Sequence, residues 1–81
     1  MPEASVSFKL DDGETLSIAD EALRSVYETL WELAKVPGAV STAALLMDAR
    51  RLRPYHRKPM ELTTPQSAVL RQAVALVHAP R

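Results

Sequence analysis

Ser5-Val6-Ser7-Phe8-Lys9-Leu10-Asp11-Asp12-Gly13-Glu14-Thr15-Leu16-Ser17-Ile18 is the stretch that decides the fold. Val6, Phe8 and Leu10 alternate with Ser5, Ser7 and Lys9, and Leu16 and Ile18 alternate with Thr15 and Ser17. Period-2 alternation of this kind reads as two half-buried strands. The turn between them sets which side chains share a face. A two-residue loop at Asp12-Gly13 would oppose Lys9 to Leu16 and Phe8 to Ser17, placing the two apolar sets on opposite faces. A three-residue loop, Asp11-Asp12-Gly13, opposes Phe8 to Leu16 and Val6 to Ile18, placing them on one face. The second register is expected, as a type I turn followed by Gly13 in the left-handed region.

Downstream, Asp20 is positioned to cap a helix whose first turn carries Glu21. Ala22, Leu23, Val26, Tyr27, Leu30, Trp31, Leu33 and Ala34 fill one side of it, and Pro37-Gly38 ends it. Tyr27 and Trp31 lie at the edges of the apolar sector and are expected to pack on the core. Ser41 or Thr42 is expected to cap a second helix, from Ala43 to about Leu52, stopped by Pro54. Met60-Glu61-Leu62 reads as a short third strand. A third helix follows from about Pro65 to His78, with Val69, Leu70, Ala73, Val74, Leu76 and Val77 on a broad apolar arc. The chain echoes itself at an offset of 44: Leu16 with Met60, Ile18 with Leu62, Val26 with Leu70, Leu30 with Val74, Leu33 with Val77. Leu23 against Ser67 and Tyr27 against Arg71 break the match.

These readings give a single α+β domain over residues 1–81, in the order β-β-α-α-β-α. A hairpin and a short third strand form a sheet packed against three helices. With 81 residues, such a domain buries only about 60% of the surface of its unfolded chain. There is no cysteine, so neither disulfides nor thiolate metal ligands reinforce the core. Association with a second copy is one remaining route to stability. The breadth of the apolar arc on the third helix makes Val69, Leu70, Val74 and Val77 the expected self-association surface, and a homodimer the expected assembly. Met1 to Ser5 lacks the basic and apolar regions of a signal peptide. The longest apolar runs are five residues, Ala43–Met47 and Ala73–Val77, too short to span a membrane. A cytoplasmic location with no membrane partner is expected.

The net charge of zero conceals a division. Residues 1–35 hold eight acids and three bases, for −5, and residues 36–81 hold two acids and seven bases, for +5. Five of those bases fall within nine residues, Arg50-Arg51-Leu52-Arg53-Pro54-Tyr55-His56-Arg57-Lys58. Such a cluster suits an anionic partner. Arg50, Arg51, Arg53, Tyr55, Arg57 and Lys58 are therefore the candidate partner-binding residues, for an acidic protein or a nucleic acid. Part of the cluster has a simpler use, since bases in the last turn complement a helix dipole.

Against catalysis stands the lack of any Gly-x-Ser-x-Gly, phosphate loop or His-Glu-x-x-His. His56 and His78 are 22 residues apart with no cysteine to join them, so no metal site and no cofactor is expected. Leu33 to Ser41 looks like the turn of a helix-turn-helix repressor such as those of the lac family, with Ala34 and Gly38 at that turn's spacing. Pro37 interrupts the pattern, and Thr42 to Met47 offers almost no side chain that reads base edges, so no family role is carried to these residues. The expectation is a non-catalytic, self-associating interaction protein. A DNA- or RNA-binding regulator is the alternative, followed by a small enzyme with its site at a dimer seam.

Overall fold

The computed structural model describes residues 5–52 and 58–79. Strands β1 (Ser5–Lys9) and β2 (Thr15–Ala19) form the hairpin, and β3 (Met60–Glu61) adds to the other side of β1. The sheet order is β2-β1-β3, with β2 antiparallel and β3 parallel to β1. Helices α1 (Asp20–Glu32), α2 (Ala39–Leu52) and α3 (Thr64–His78) complete the expected order.

The hairpin adopts the three-residue loop. Phe8 opposes Leu16 and Val6 opposes Ile18. The Gly13 amide donates to the Leu10 carbonyl at 3.0 Å, and the Leu10 amide to the Glu14 carbonyl at 2.7 Å. Gly13 has a φ of 89°, where a Cβ is disfavoured. Val6, Phe8, Leu10 and Ile18 are consequently buried together under the helices. Ser7 and Ser17 meet on the outer face, their hydroxyl oxygens 2.9 Å apart.

Leu23, Val26 and Leu30 of α1, Ala39, Ala43 and Leu46 of α2, and Val69, Leu70 and Ala73 of α3 close the core over that face. Phe8, Leu30, Leu46 and Leu70 are among its largest fully buried side chains. Truncating a buried Leu of this kind to Ala costs about 2–5 kcal/mol. The two buried polar side chains, Thr42 and Ser67, are both hydrogen-bonded. Trp31 departs from expectation. Tyr27 packs against the core, but Trp31 is 49% exposed and rests edge-on against Tyr27 with ring centroids 6.3 Å apart.

Helix starts differ from the sequence reading in physically clear ways. Asp20 is the first residue of α1, not the residue before it. Its carboxylate still stands with Glu21 at the positive end of the helix dipole. Helix α2 begins four residues early, at Ala39. Ser41 and Thr42 are inside it, and both hydroxyls donate back to the Gly38 carbonyl, at 3.1 and 2.6 Å. That is the back-bonding available to Ser and Thr within a helix. Pro37-Gly38 therefore introduces α2. Helix α1 stops at Glu32, and residues 33–38 follow as successive tight turns. Gly38 has a φ of 85°, and its Cα side faces the start of α3. Helix α3 opens with a capping box: the Thr63 side chain accepts from the Gln66 amide, and the Gln66 side chain accepts from the Thr63 amide. The same Gln66 side-chain amide donates to the Ser41 hydroxyl at 3.1 Å, joining the first turns of α2 and α3.

The hairpin turn is tied to α3. The buried Ser67 hydroxyl accepts from the Asp11 amide at 3.0 Å. Arg71, one turn along, donates to Asp12 at 2.6 Å and lies 3.7 Å from Glu14. The Glu14 amide donates to Asp12 at 2.9 Å. That bond, and then the Arg71 guanidinium, hold the Asp12 carboxyl below its ordinary value of 3.8.

The two glycines separate backbone strain from contact. An added Cβ at Gly13 meets nothing within 4 Å, whereas at Gly38 it would lie 3.1 Å from the Gln66 amide nitrogen and 3.2 Å from the Pro65 carbonyl carbon. Gly13→Ala should cost ~1 kcal/mol, from the left-handed backbone alone. Gly38→Ala should cost clearly more, because the starts of α2 and α3 must move apart. Urea unfolding of both variants checks the order, and an equal or reversed cost would contradict it.

Asp12 supplies a pH signature. Its pKa is lowered on folding, so it contributes stability above the unfolded value, and that contribution is lost as pH falls through the lower folded value. The stability gap between the parent chain and Asp12→Asn should therefore be present at neutral pH and close below ~4. Both partners are about half exposed, so added salt should shrink the gap as well. A gap that is constant from neutral pH down to ~2 would show that the carboxylate charge is not what matters.

Candidate functional site

Helix α2 carries its bases at its C-terminal end. Arg50 and Arg51 occupy the last turn and both are exposed. Arg51 pairs with Asp48 at 3.2 Å, one turn back, with both side chains largely in solvent. A surface pair of this kind contributes little stability. Among the described residues Arg50 has no acidic partner. Lys58 is exposed just before β3. Arg53, Tyr55 and Arg57, expected to act with them, lie outside the described residues, as does His56.

Beside these bases is an open groove of about 390 Å³, lined by Met47, Asp48, Arg50 and Arg51. It joins a flexible apolar side chain to two guanidinium groups and one carboxylate. Such a wall can hold an extended or helical segment that presents acids near an apolar residue. A second hollow, about 270 Å³, lies at the hairpin end among Lys9, Leu10, Asp11, Gly13, Glu61 and Leu62. Among the described residues no three His, Asp or Glu side chains gather as metal ligands. No helix of the described residues is long and apolar enough to cross a membrane.

The four residues expected to form a self-association surface on α3 all take part in packing within the single chain. Val69 and Leu70 are fully buried within the single chain, and Val74 and Val77 are half-buried against the same core. The broad apolar arc has several neighbours at once, because α3 packs on both α1 and α2. Val69 and Leu70 thus present no surface to a second copy. Of the large apolar side chains on that helix, Leu76 is the one left exposed, at 53%. The other exposed large apolar residues are Trp31 on α1 and Val40 and Met47 on α2.

The sequence places Ser67, Arg71 and His78 on one polar stripe of the third helix but does not show that Ser67 and Arg71 reach the hairpin turn, although a signal existed. They are the two positions where the echo at offset 44 fails, and both reach the hairpin turn. The capping box was also legible as Thr63-Thr64-Pro65-Gln66.

None of the protein families, curated proteins or solved structures compared with this chain matches it.

Proposed function

We propose that this chain is a small non-catalytic interaction protein that binds an anionic partner through the basic end of α2. The observation that carries the reading is the exposed pair Arg50 and Arg51 beside the groove walled by Met47. A helix C-terminus presents about half a negative charge, and Asp48 adds one more. Five bases between Arg50 and Lys58 exceed what those two features can neutralise. The surplus is drawn to an external anion. Arginine also adds paired hydrogen bonds to a carboxylate or phosphate that lysine cannot make.

An acidic protein segment suits this arrangement better than a long nucleic acid. Residues 1–35 carry −5, and an extended polyanion that runs past the basic end meets that repulsion. A short acidic segment does not.

Titration with a glutamate-rich peptide, heparin, duplex DNA and single-stranded oligonucleotides tests the proposal. The peptide and heparin should bind at low salt, and changing Arg51, Arg53 and Arg57 together to Gln should remove most of that binding. The melting temperature should hold, as expected where the arginines serve binding rather than stability. If all five bases met duplex phosphates, log K would fall against log salt with a slope of about −4.5. Preference for oligonucleotides over the peptide would favour the nucleic-acid-binding reading. No association with any of the four at low salt would overturn the proposal. A lowered melting temperature with no binding to lose would assign the arginines to helix stability.

A further inference from the structure

Strand β2 is an edge of the sheet, and its outer side is bare. The Leu10 amide donates to the Glu14 carbonyl at the turn, and the Leu62 amide donates to the Lys9 carbonyl on the β3 side. Even-numbered residues of β1 therefore bond to β2, and odd-numbered ones turn toward β3. In the observed register Leu16 and Ile18 answer β1, while the amides and carbonyls of Thr15 and Ser17 point away from the sheet. Both residues are exposed. Nothing blunts this edge. From Thr15 to Ala19 it has no Lys, Pro or Gly, and its pairing with β1 runs through all five residues without a bulge. Native edge strands ordinarily carry at least one such protective device.

We propose that this edge receives an extended peptide segment with basic residues at both ends, which pairs with β2 as an added strand. The outward amides and carbonyls of Thr15 and Ser17 supply the main-chain bonds. Leu16 is half-buried at the margin of the core, so it leaves apolar surface on the inner face for a side chain of the incoming strand to cover.

Charge selects the occupant. Residues 11–21 contain Asp11, Asp12, Glu14, Asp20 and Glu21 and no base. At the turn end Arg71 answers Asp12 and Glu14, and Lys9 stands opposite Glu61 in the β1–β3 register. Those two bases meet four acids, since Asp11 is there as well. At the other end Glu21 is exposed and in no ion pair among the described residues. Arg24, next along α1, is already paired with Glu28. An acidic surplus thus brackets the edge. A second copy does not fit it. Antiparallel pairing centred on Ser17 would set Glu14 of each copy against the partner's Asp20, and like charges directly opposite are destabilising. Lys or Arg at both ends of an incoming strand meets the surplus instead. The surface is separate from Met47, Arg50 and Arg51.

Titration with a synthetic peptide of alternating Val and Thr, flanked by Lys at both ends, tests the proposal. Dissociation in the range of ~10–100 µM is expected of so short a strand. Amide hydrogen exchange reads the contact itself. The Thr15 and Ser17 amides should exchange freely in the chain alone and about tenfold or more slowly at saturating peptide. The same peptide with a central Pro, or with Glu in place of Lys, should bind at least about tenfold more weakly. Ser17→Pro removes an outward amide where an edge strand tolerates proline, and should weaken binding about tenfold or more. Should that variant fail to fold, Asp11→Asn with Glu21→Gln gives a second reading. Binding should weaken about threefold or more at low salt, with the difference gone at ~1 M salt. No binding of the Lys-flanked peptide up to about 1 mM would overturn the proposal. So would equal binding of the Pro or Glu peptides, equal binding by a folded Ser17→Pro chain, or Thr15 and Ser17 amides left unprotected by bound peptide. Protection of those amides that grows with the concentration of the chain alone would assign the edge to a second copy, and would overturn it too.

Discussion

Strand register is the constraint on which the rest of this molecule depends. Side chains in a strand alternate with period two, so a slip of one residue moves a whole apolar set to the other face. The loop Asp11-Asp12-Gly13 puts Val6, Phe8, Leu10 and Ile18 on the same side of the hairpin. With a small three-stranded sheet, that side is the floor of the core that the helices close. Two edge strands flank β1, and β3 is just two residues long, so β1 and its register carry most of the organisation. Because the loop also receives Ser67 and Arg71 from α3, the last helix of the chain holds the first turn in place. The contact spans 56 residues for Asp11–Ser67 and 59 for Asp12–Arg71. It joins local turn geometry to the global packing.

A second joint links the two helix starts. Gly38 approaches the backbone of Pro65 and Gln66, and Gln66 serves both the α3 cap and the Ser41 hydroxyl. The orientation of α2 is thereby fixed at its first turn. Its buried face is committed to α1, α3 and β1, and its free face and basic end point outward together. The candidate site is therefore a consequence of packing at the opposite end of the helix. A helix holds Arg50 and Arg51 with less conformational freedom than a loop would, which would lower the entropic cost of meeting the proposed partner.

Most of the fold was legible because its signals are local. Alternation in residues 5–18, the amphipathic sector of α1 and the prolines near the helix ends each act over a few residues. The departures come from contacts distant in sequence. The start of α2 was read from capping preference at Ser41 and Thr42, but the close approach of Gly38 to α3 and the back-bonding hydroxyls place it at Ala39. That shift adds Val40 to the helix. The apolar arc of α3 was read as excess surface because a single helix was weighed against a single sheet. Its burial by α1 and α2 depends on how three helices pack, which helical periodicity alone does not specify. The basic cluster was plain in composition. Its geometry is described for Arg50, Arg51 and Lys58.

Cross-strand Hα–Hα nuclear Overhauser effects test the central claim about register most directly, because in an antiparallel pair the closest Hα atoms belong to non-hydrogen-bonded partners. Since Leu10 and Glu14 form a hydrogen-bonded pair at the turn, alternate pairs toward the open end should be the close ones. Strong effects between Lys9 and Thr15 and between Ser7 and Ser17 are predicted, matching the observed partners. Effects between Phe8 and Ser17, or between Leu10 and Thr15, would mean that the loop has two residues. The apolar faces of β1 and β2 would then be opposed, contradicting the account from the sheet upward.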